Sequence, residues 1–147
     1  MRAVIQRVKS AVIDIDDNGK KSRKEIGQGL VILIGIDVND TEENMQKLAE
    51  KCRGIRIFCD ENDKMNLSVN DIGGSVLIVS NFTLCADTSH GKRPSFINAA
   101  RPEQSEPLYE RFVELFCEHT PTVTGVFGAD MQINLVNDGP VTIVIDA

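Results

Sequence analysis

No run of apolar residues in this chain approaches the ~20 that a membrane-crossing helix needs. The opening Met1-Arg2-Ala3-Val4-Ile5-Gln6-Arg7-Val8 carries no apolar leader or cleavage site and reads as a strand interrupted by two arginines. Both absences predict a cytoplasmic protein. The four cysteines, Cys52, Cys59, Cys85 and Cys117, include no C-x-x-C pair. No metal site is therefore expected, and the thiols are expected to be reduced and mostly buried. Nucleotide signatures are missing as well: there is no G-x-x-x-x-G-K-[ST], and Gly27-Gln28-Gly29 lacks the third glycine of a dinucleotide fingerprint. No nucleotide or other cofactor is implied. Without a G-x-S-x-G elbow, a serine hydrolase of the usual α/β type has no nucleophile here. Histidines number two, His90 and His119. Internal repeats, linkers and low-complexity tracts are lacking too, so a single domain spanning residues 1–147 is the expectation.

What is present suits an ordinary folded chain. At 147 residues, with 41% hydrophobic and 26% charged side chains, the protein is long enough to bury roughly 70% of its unfolded surface. The net charge of −6 is unevenly spread: residues 1–24 hold seven Lys/Arg against three Asp/Glu, and the remainder nine against nineteen. Lys20, Lys21, Arg23 and Lys24 form a short basic cluster that can meet phosphates or simply keep a hairpin edge solvated.

Alternation in Ala11-Val12-Ile13-Asp14-Ile15-Asp16 followed by Asp17-Asn18-Gly19 predicts a strand entering a tight turn, with residues 20–26 returning beside it. Leu30 to Ile34 is apolar on both faces, as a central buried strand should be. Asp40 or Thr41 can cap a helix that places Met45, Leu48, Ala49 and Cys52 on one face and stops at Gly54. Ile55-Arg56-Ile57-Phe58 and Ser75 to Val79 read as further strands, and Asp87 to Arg93 as a surface loop. A second helix buries Leu108, Phe112, Leu115 and Phe116, with Pro102 and Pro107 admissible only near its start. Met131 to Leu135 and Val141 to Ile145 close the chain as two strands. The expected fold class is α+β: mostly antiparallel sheet, or a partly closed β-barrel, with two packed amphipathic helices.

Two places can carry chemistry. Ser80-Asn81-Phe82-Thr83-Leu84 ends an apolar strand in hydroxyl and amide residues, which brings polar groups and backbone N–H donors to a sheet's mouth. Two adjacent N–H groups there can hold an oxyanion. Thr83 as a nucleophile is the weaker reading, because no base adjoins it; local hydrogen bonds that merely end the strand are another. His90, in the loop, is a candidate general base or a solvated residue. The second place is Asn137-Asp138-Gly139-Pro140-Val141-Thr142, a Gly-Pro step between two runs that read as buried strands. It is an ordinary hairpin turn or a tip that presents backbone carbonyls.

Together these motifs resemble a known family. Ser80 to Leu84 is similar to the S-Q-F-T-L motif of the D-aminoacyl-tRNA deacylases, and Asn137 to Thr142 to their N-x-G-P-x-T motif. The opening M-R-A-V-I-Q-R-V, G-G-S-V-L-I-V-S, G-K-R-P-S-F and D-M-Q-I-N-L-V-N-D-G-P-V-T follow in the family's order. The resemblance covers essentially the whole chain. It implies an enzyme that hydrolyses the ester of D-aminoacyl-tRNA, and mischarged glycyl-tRNA, at the terminal adenosine. It further implies a homodimer in which a cis Gly139-Pro140 step reaches into the partner's pocket near Ser80, Asn81, Phe82 and Thr83. The Phe82 and Thr83 N–H groups would steady the carbonyl oxygen, the RNA's own 2′-hydroxyl would assist, and the Gly139 and Pro140 carbonyls would crowd an L side chain. Arg7 matches an arginine that holds the tip, with Asn137 and Thr142 supporting it. Asn81 stands where the family has glutamine, one methylene longer, so weaker adenosine contact is expected. A non-catalytic tRNA-binding module of the same fold is the alternative, and a small-ester hydrolase using Thr83 with His90 a third.

Overall fold

A computed structural model describes all residues 1–147. Strands β1 (Arg2–Asp17), β2 (Lys20–Ile26) and β3 (Gly29–Gly35) lead into helix α1 (Glu42–Gly54). A small ribbon of β4 (Phe58–Cys59) and β5 (Met65–Leu67) precedes β6 (Ser75–Ser80) and a 3₁₀ turn, Phe82–Cys85. Helix α2 (Pro102–Cys117), β7 (Thr122–Thr124) and β8 (Asp130–Asp146) complete the chain. The main sheet is mixed and curls into a nearly closed barrel. β1 pairs antiparallel with β2, β3 and β8, whereas β6 runs parallel to both β3 and β7. The parallel step from β3 to β6 is possible because α1 makes the crossover.

Strand β1 is the spine. One of its edges pairs with β8 from Arg2 to Asp16, and the other serves β3 over residues 2–8 and then β2 over residues 11–17. Ala3 and Ile5 face a core shared with the helices, while Val8, Ala11, Ile13 and Ile15 fill the barrel interior. An irregularity between Val8 and Ser10 inserts one extra residue, Lys9, and so transfers the odd-numbered side chains from one layer to the other. In β3 and β6 the same two layers are served by simple alternation. Leu30, Ile32, Val76 and Ile78 point to the helices, and Val31, Leu77 and Val79 to the barrel.

Local chemistry explains the elements. Asn18 (φ 52°) and Gly19 (φ 90°) both take left-handed backbone, as a two-residue hairpin turn requires. Thr41, not Asp40, caps α1 in a capping box with Asn44. Asp40 instead pairs with the Met1 ammonium and accepts the Asp37 N–H at 2.6 Å. No helix is long and apolar enough to cross a membrane.

Several expectations are corrected. Residues 55–57 are not strand: the Ile57 carbonyl accepts a guanidinium N–H from Arg7 at 2.6 Å instead of joining a ladder. Pro107 lies within α2, in its second turn, beyond the start to which it was assigned. On the inner face of α2, Tyr109 is buried with Phe112 and Phe116, while Leu108 and Leu115 are half-buried. A phenol can be buried there because its hydroxyl donates to the Ile78 carbonyl at 3.0 Å. Residues 130–146 form one continuous strand, not two buried strands around a hairpin turn. Both flanks of Gly139-Pro140 pair with β1, and alternate residues face outward.

The thiols are not mostly buried: Cys59 and Cys117 are exposed, Cys85 is intermediate and only Cys52 is enclosed. Burial pushes the Cys52 thiol up to about 12. Alkylation at pH 8 should therefore modify Cys59 and Cys117 readily and spare Cys52 until denaturant is added, as peptide mass mapping will read.

Candidate active site

The apolar strand β6 ends at Ser80, and the chain turns at once into the 3₁₀ segment. Asn81 N–H still donates to the Ile34 carbonyl at 2.7 Å, so the turn begins as an extension of the β3–β6 ladder. The turn lies directly against the end of β3 because residue 35 is glycine. A Cβ there would stand 2.7 Å from Leu84 Cβ and 3.3 Å from the Asn81 carbonyl oxygen. Above the turn opens a cavity of about 580 Å³, lined by Ser80, Asn81 and Phe82 on one side. Other walls come from Phe96, Arg101 and Ser105 around the start of α2, and from Phe127 to Met131 leading into β8. Phe82 and Phe96 meet edge to face, with ring centroids 5.2 Å apart, and both remain substantially exposed at the rim. Phe127 is backed by the buried Tyr109 ring at 6.1 Å.

The donors at the strand end differ from the expectation in one respect. Asn81 Oδ1 accepts both the Thr83 N–H, at 3.2 Å, and the Thr83 hydroxyl. One of the two N–H groups expected to be free is thus occupied within the chain. No turn, loop or side-chain hydrogen bond engages the Phe82 N–H. Thr83 has an amide oxygen as its acceptor, which is too weak a base to take a hydroxyl proton. His90 is exposed in the 88–94 loop and does not line the cavity. Asp130 is the only carboxylate on the cavity wall, and it makes no hydrogen bond to Thr83.

The second motif forms a closed clasp on β8. Between the pairs Gln6↔Thr142 and Val8↔Asn137, β1 supplies one residue, Arg7, and β8 supplies four, 138–141. The extra residues bow out as a loop. Asn137 closes it from within: its Oδ1 accepts the Val141 N–H at 2.7 Å, and its Nδ2 donates to the Val141 carbonyl at 3.2 Å and to Thr142 Oγ1 at 3.3 Å. Arg7 holds it from below. Its Nε donates to the Asp138 carbonyl at 2.9 Å and its Nη1 to the Ile57 carbonyl, with the Asp138 carboxylate 3.6 Å away. Gly139 has φ 141°, and a Cβ there would meet Val141 at 2.7 Å. The Gly139–Pro140 peptide is cis, and both residues are exposed.

Arg7, Asn137, Gly139, Pro140 and Thr142 are thus brought together, as are Ser80, Asn81, Phe82 and Thr83. The two groups are not brought to each other: no residue from 137 to 142 lines the cavity. Phe96, Arg101, Ser105 and Phe127 were missed from the sequence. Only Phe96, inside G-K-R-P-S-F, carried any signal.

A mixed barrel whose strand end offers main-chain donors beside a partly apolar cavity fits the deacylase family that the chain's motifs resemble. Its sequence agrees over nearly its full length: residues 4–146 match the D-Tyr-tRNA(Tyr) deacylase family, and the chain belongs to that family. It is 51% identical over 147 residues to a D-aminoacyl-tRNA deacylase of Persephonella marina, covering 100% of this chain and 98% of the relative. A D-aminoacyl-tRNA deacylase of Yersinia enterocolitica is 54% identical over 143 residues, 97% of either chain. Among solved structures, a c-Myc DNA unwinding element binding protein superposes with TM-score 0.90 at 37% identity, covering 100% of this chain and 99% of that one. A probable eukaryotic D-amino acid tRNA deacylase shares the fold, with TM-score 0.82 at 17% identity over 99% of this chain and 98% of the other.

Replacing Arg7 with Met should cost about 2–4 kcal/mol of stability, because it strands the Asp138 and Ile57 carbonyls without donors. Urea denaturation will measure it, and Arg7→Lys should recover only part of the loss because an ammonium cannot fork between both acceptors.

Proposed function

We propose that this chain hydrolyses the ester bond of D-aminoacyl-tRNA, releasing the free D-amino acid and the tRNA. The observation that carries the reading is the strand-end turn at Ser80 to Thr83, with an unengaged Phe82 N–H beside the cavity, in a full-length member of this family. Water adds to the ester carbonyl carbon, the carbonyl oxygen gathers negative charge, and the bond to the ribose oxygen then breaks as that oxygen takes a proton. The Phe82 N–H steadies the developing oxyanion. The Thr83 N–H joins it when the substrate oxygen displaces Asn81 Oδ1. One preorganised donor of this kind is worth about 100- to 1000-fold in rate. The 2′-hydroxyl of the terminal adenosine, the group that the family resemblance implies, shuttles the proton.

Chirality is selected by exclusion. On this reading the Gly139 and Pro140 carbonyls of a second copy crowd out an L side chain, whereas a D side chain or the hydrogen of glycine passes. Because the tip does not reach its own cavity, each site is completed by the tip of a second copy, in a homodimer. The exposure of Gly139 and Pro140 supports this, as do the outward-facing Val136 and Val144 on the same strand, 53% and 57% exposed.

The test is amino-acid release from matched D- and L-aminoacyl-tRNA. D-selective release that persists in Thr83→Ala, His90→Ala and Asp130→Asn is the expected result. Loss in any one assigns the chemistry to that side chain, and binding without release assigns a tRNA-binding module. Asn81→Gln, whose longer side chain reaches past the Thr83 donors, should lower KM for charged tRNA; an unchanged KM removes Asn81 from substrate contact.

A further inference from the structure

A cationic segment at the cavity rim has no part in the hydrolytic step. From Thr88 to Pro102 the chain carries Lys92, Arg93 and Arg101 and not one carboxylate, in a protein of net charge −6. Lys92 and Arg93 sit in a loop closed at its base by paired backbone bonds between Asp87 and Ser95, at 2.8 and 2.9 Å. The segment is then tied to the end of β3. Val38 N–H donates to the Asn98 carbonyl and Ala100 N–H to the Ile36 carbonyl, both at 2.9 Å. Phe96 and Arg101, which follow the loop, line the cavity itself. All three cations are exposed, and none forms a salt bridge. The nearest acids in sequence are Asp87, whose carboxylate accepts the Ser89 N–H at 2.9 Å, and Glu103. Asp130 is the acid on the cavity wall.

The basic hairpin at residues 20–24 is different. Across the β1–β2 ladder Lys20 faces Asp17, Lys21 faces Asp16 and Arg23 faces Asp14. Arg23 bonds to Asp14 at 3.1 Å, and Lys24 Nζ donates to the Thr124 carbonyl at 2.7 Å. Lys20 and Lys21 form no salt bridge but stand opposite a carboxylate in the ladder, and Arg23 is paired with Asp14, whereas Lys92, Arg93 and Arg101 form no ion pair. Cations that form no ion pair, set beside exposed aromatic rings, are what a single-stranded nucleic acid backbone needs, although Asp37 bridges to Ala99 of the same segment.

We infer that Lys92, Arg93 and Arg101 form a phosphate-binding edge for the single-stranded 3′ end of the RNA whose terminal ester enters the cavity, and that the 20–24 hairpin does not. The inference rests on the deacylase reading for its ligand, and its test is independent of turnover. The probe is an uncharged RNA stem-loop with a single-stranded 3′ tail, and its binding is read by fluorescence anisotropy across a salt series. Lys92→Glu/Arg93→Glu should weaken binding tenfold or more and flatten the slope of log affinity against log salt by about 1.4, at ~0.7 per phosphate contact. Lys20→Glu/Lys21→Glu should change affinity less than twofold. Unchanged affinity and slope in the first variant, or an equal loss in the second, overturns the inference. Failure of the deacylase reading would show separately, as absence of D-selective release by the unmodified protein.

Discussion

The pairing of β1 with β8 is the constraint on which the rest depends, and Arg7 stands where that pairing opens. Antiparallel ladders before and after Arg7 fix both ends of the 138–141 loop. The loop is therefore held at its base, even though its outer residues, Gly139 and Pro140, are exposed. The guanidinium replaces the ladder bonds that the bulge removes by giving N–H donors to Asp138 and Ile57. A charge inside a strand is thereby satisfied by carbonyls and by one partly buried carboxylate, which is the condition under which burying it is tolerable. The same residue links the tip to the segment after α1, so that the helix layer and the tip share an anchor.

On the proposed mechanism, few side chains do chemistry. Its donors are main-chain groups oriented by the β3–β6 ladder, and its discrimination is assigned to main-chain acceptors. Side chains act mainly as wall and rim: Phe82, Phe96 and Phe127 shape the cavity, and Asn81 governs access to the Thr83 donors. An internal acceptor on those donors means that an incoming carbonyl must compete with an amide oxygen already in place. The turn is preorganised by that contact and partly masked by it.

Much of this was legible from residue order. The Asn18-Gly19 turn, the doubly apolar β3, the buried face of α1 and the termination of β6 at Ser80 are all set by local pattern, so a sequence reading finds them. What was misread depends on partners far away in the chain. β8 runs unbroken through a Gly-Pro step because β1 pairs with it on both sides, and no local signal reports that. Ile57 looks like strand until Arg7 claims its carbonyl. Tyr109 outranks Leu108 on the inner face only because Ile78 offers its hydroxyl an acceptor. The cavity walls come from three separated segments, so Ser80 to Thr83 could be singled out in advance, while Phe127 and Arg101 could not.

Gly35 gives this design its hidden dependence. It contributes no atom to the cavity lining, yet the turn bearing the donors rests on the space its missing Cβ leaves. Where chemistry is done by backbone, heredity must protect shape rather than reactive groups. On the proposed mechanism the donors depend on the backbone at residues 82 and 83, and a methyl group added one layer beneath would stand 2.7 Å from Leu84 Cβ, so that something must shift without a single functional group being altered. Surveys that seek the important positions by their reactivity would pass over the one whose emptiness keeps the enzyme in register.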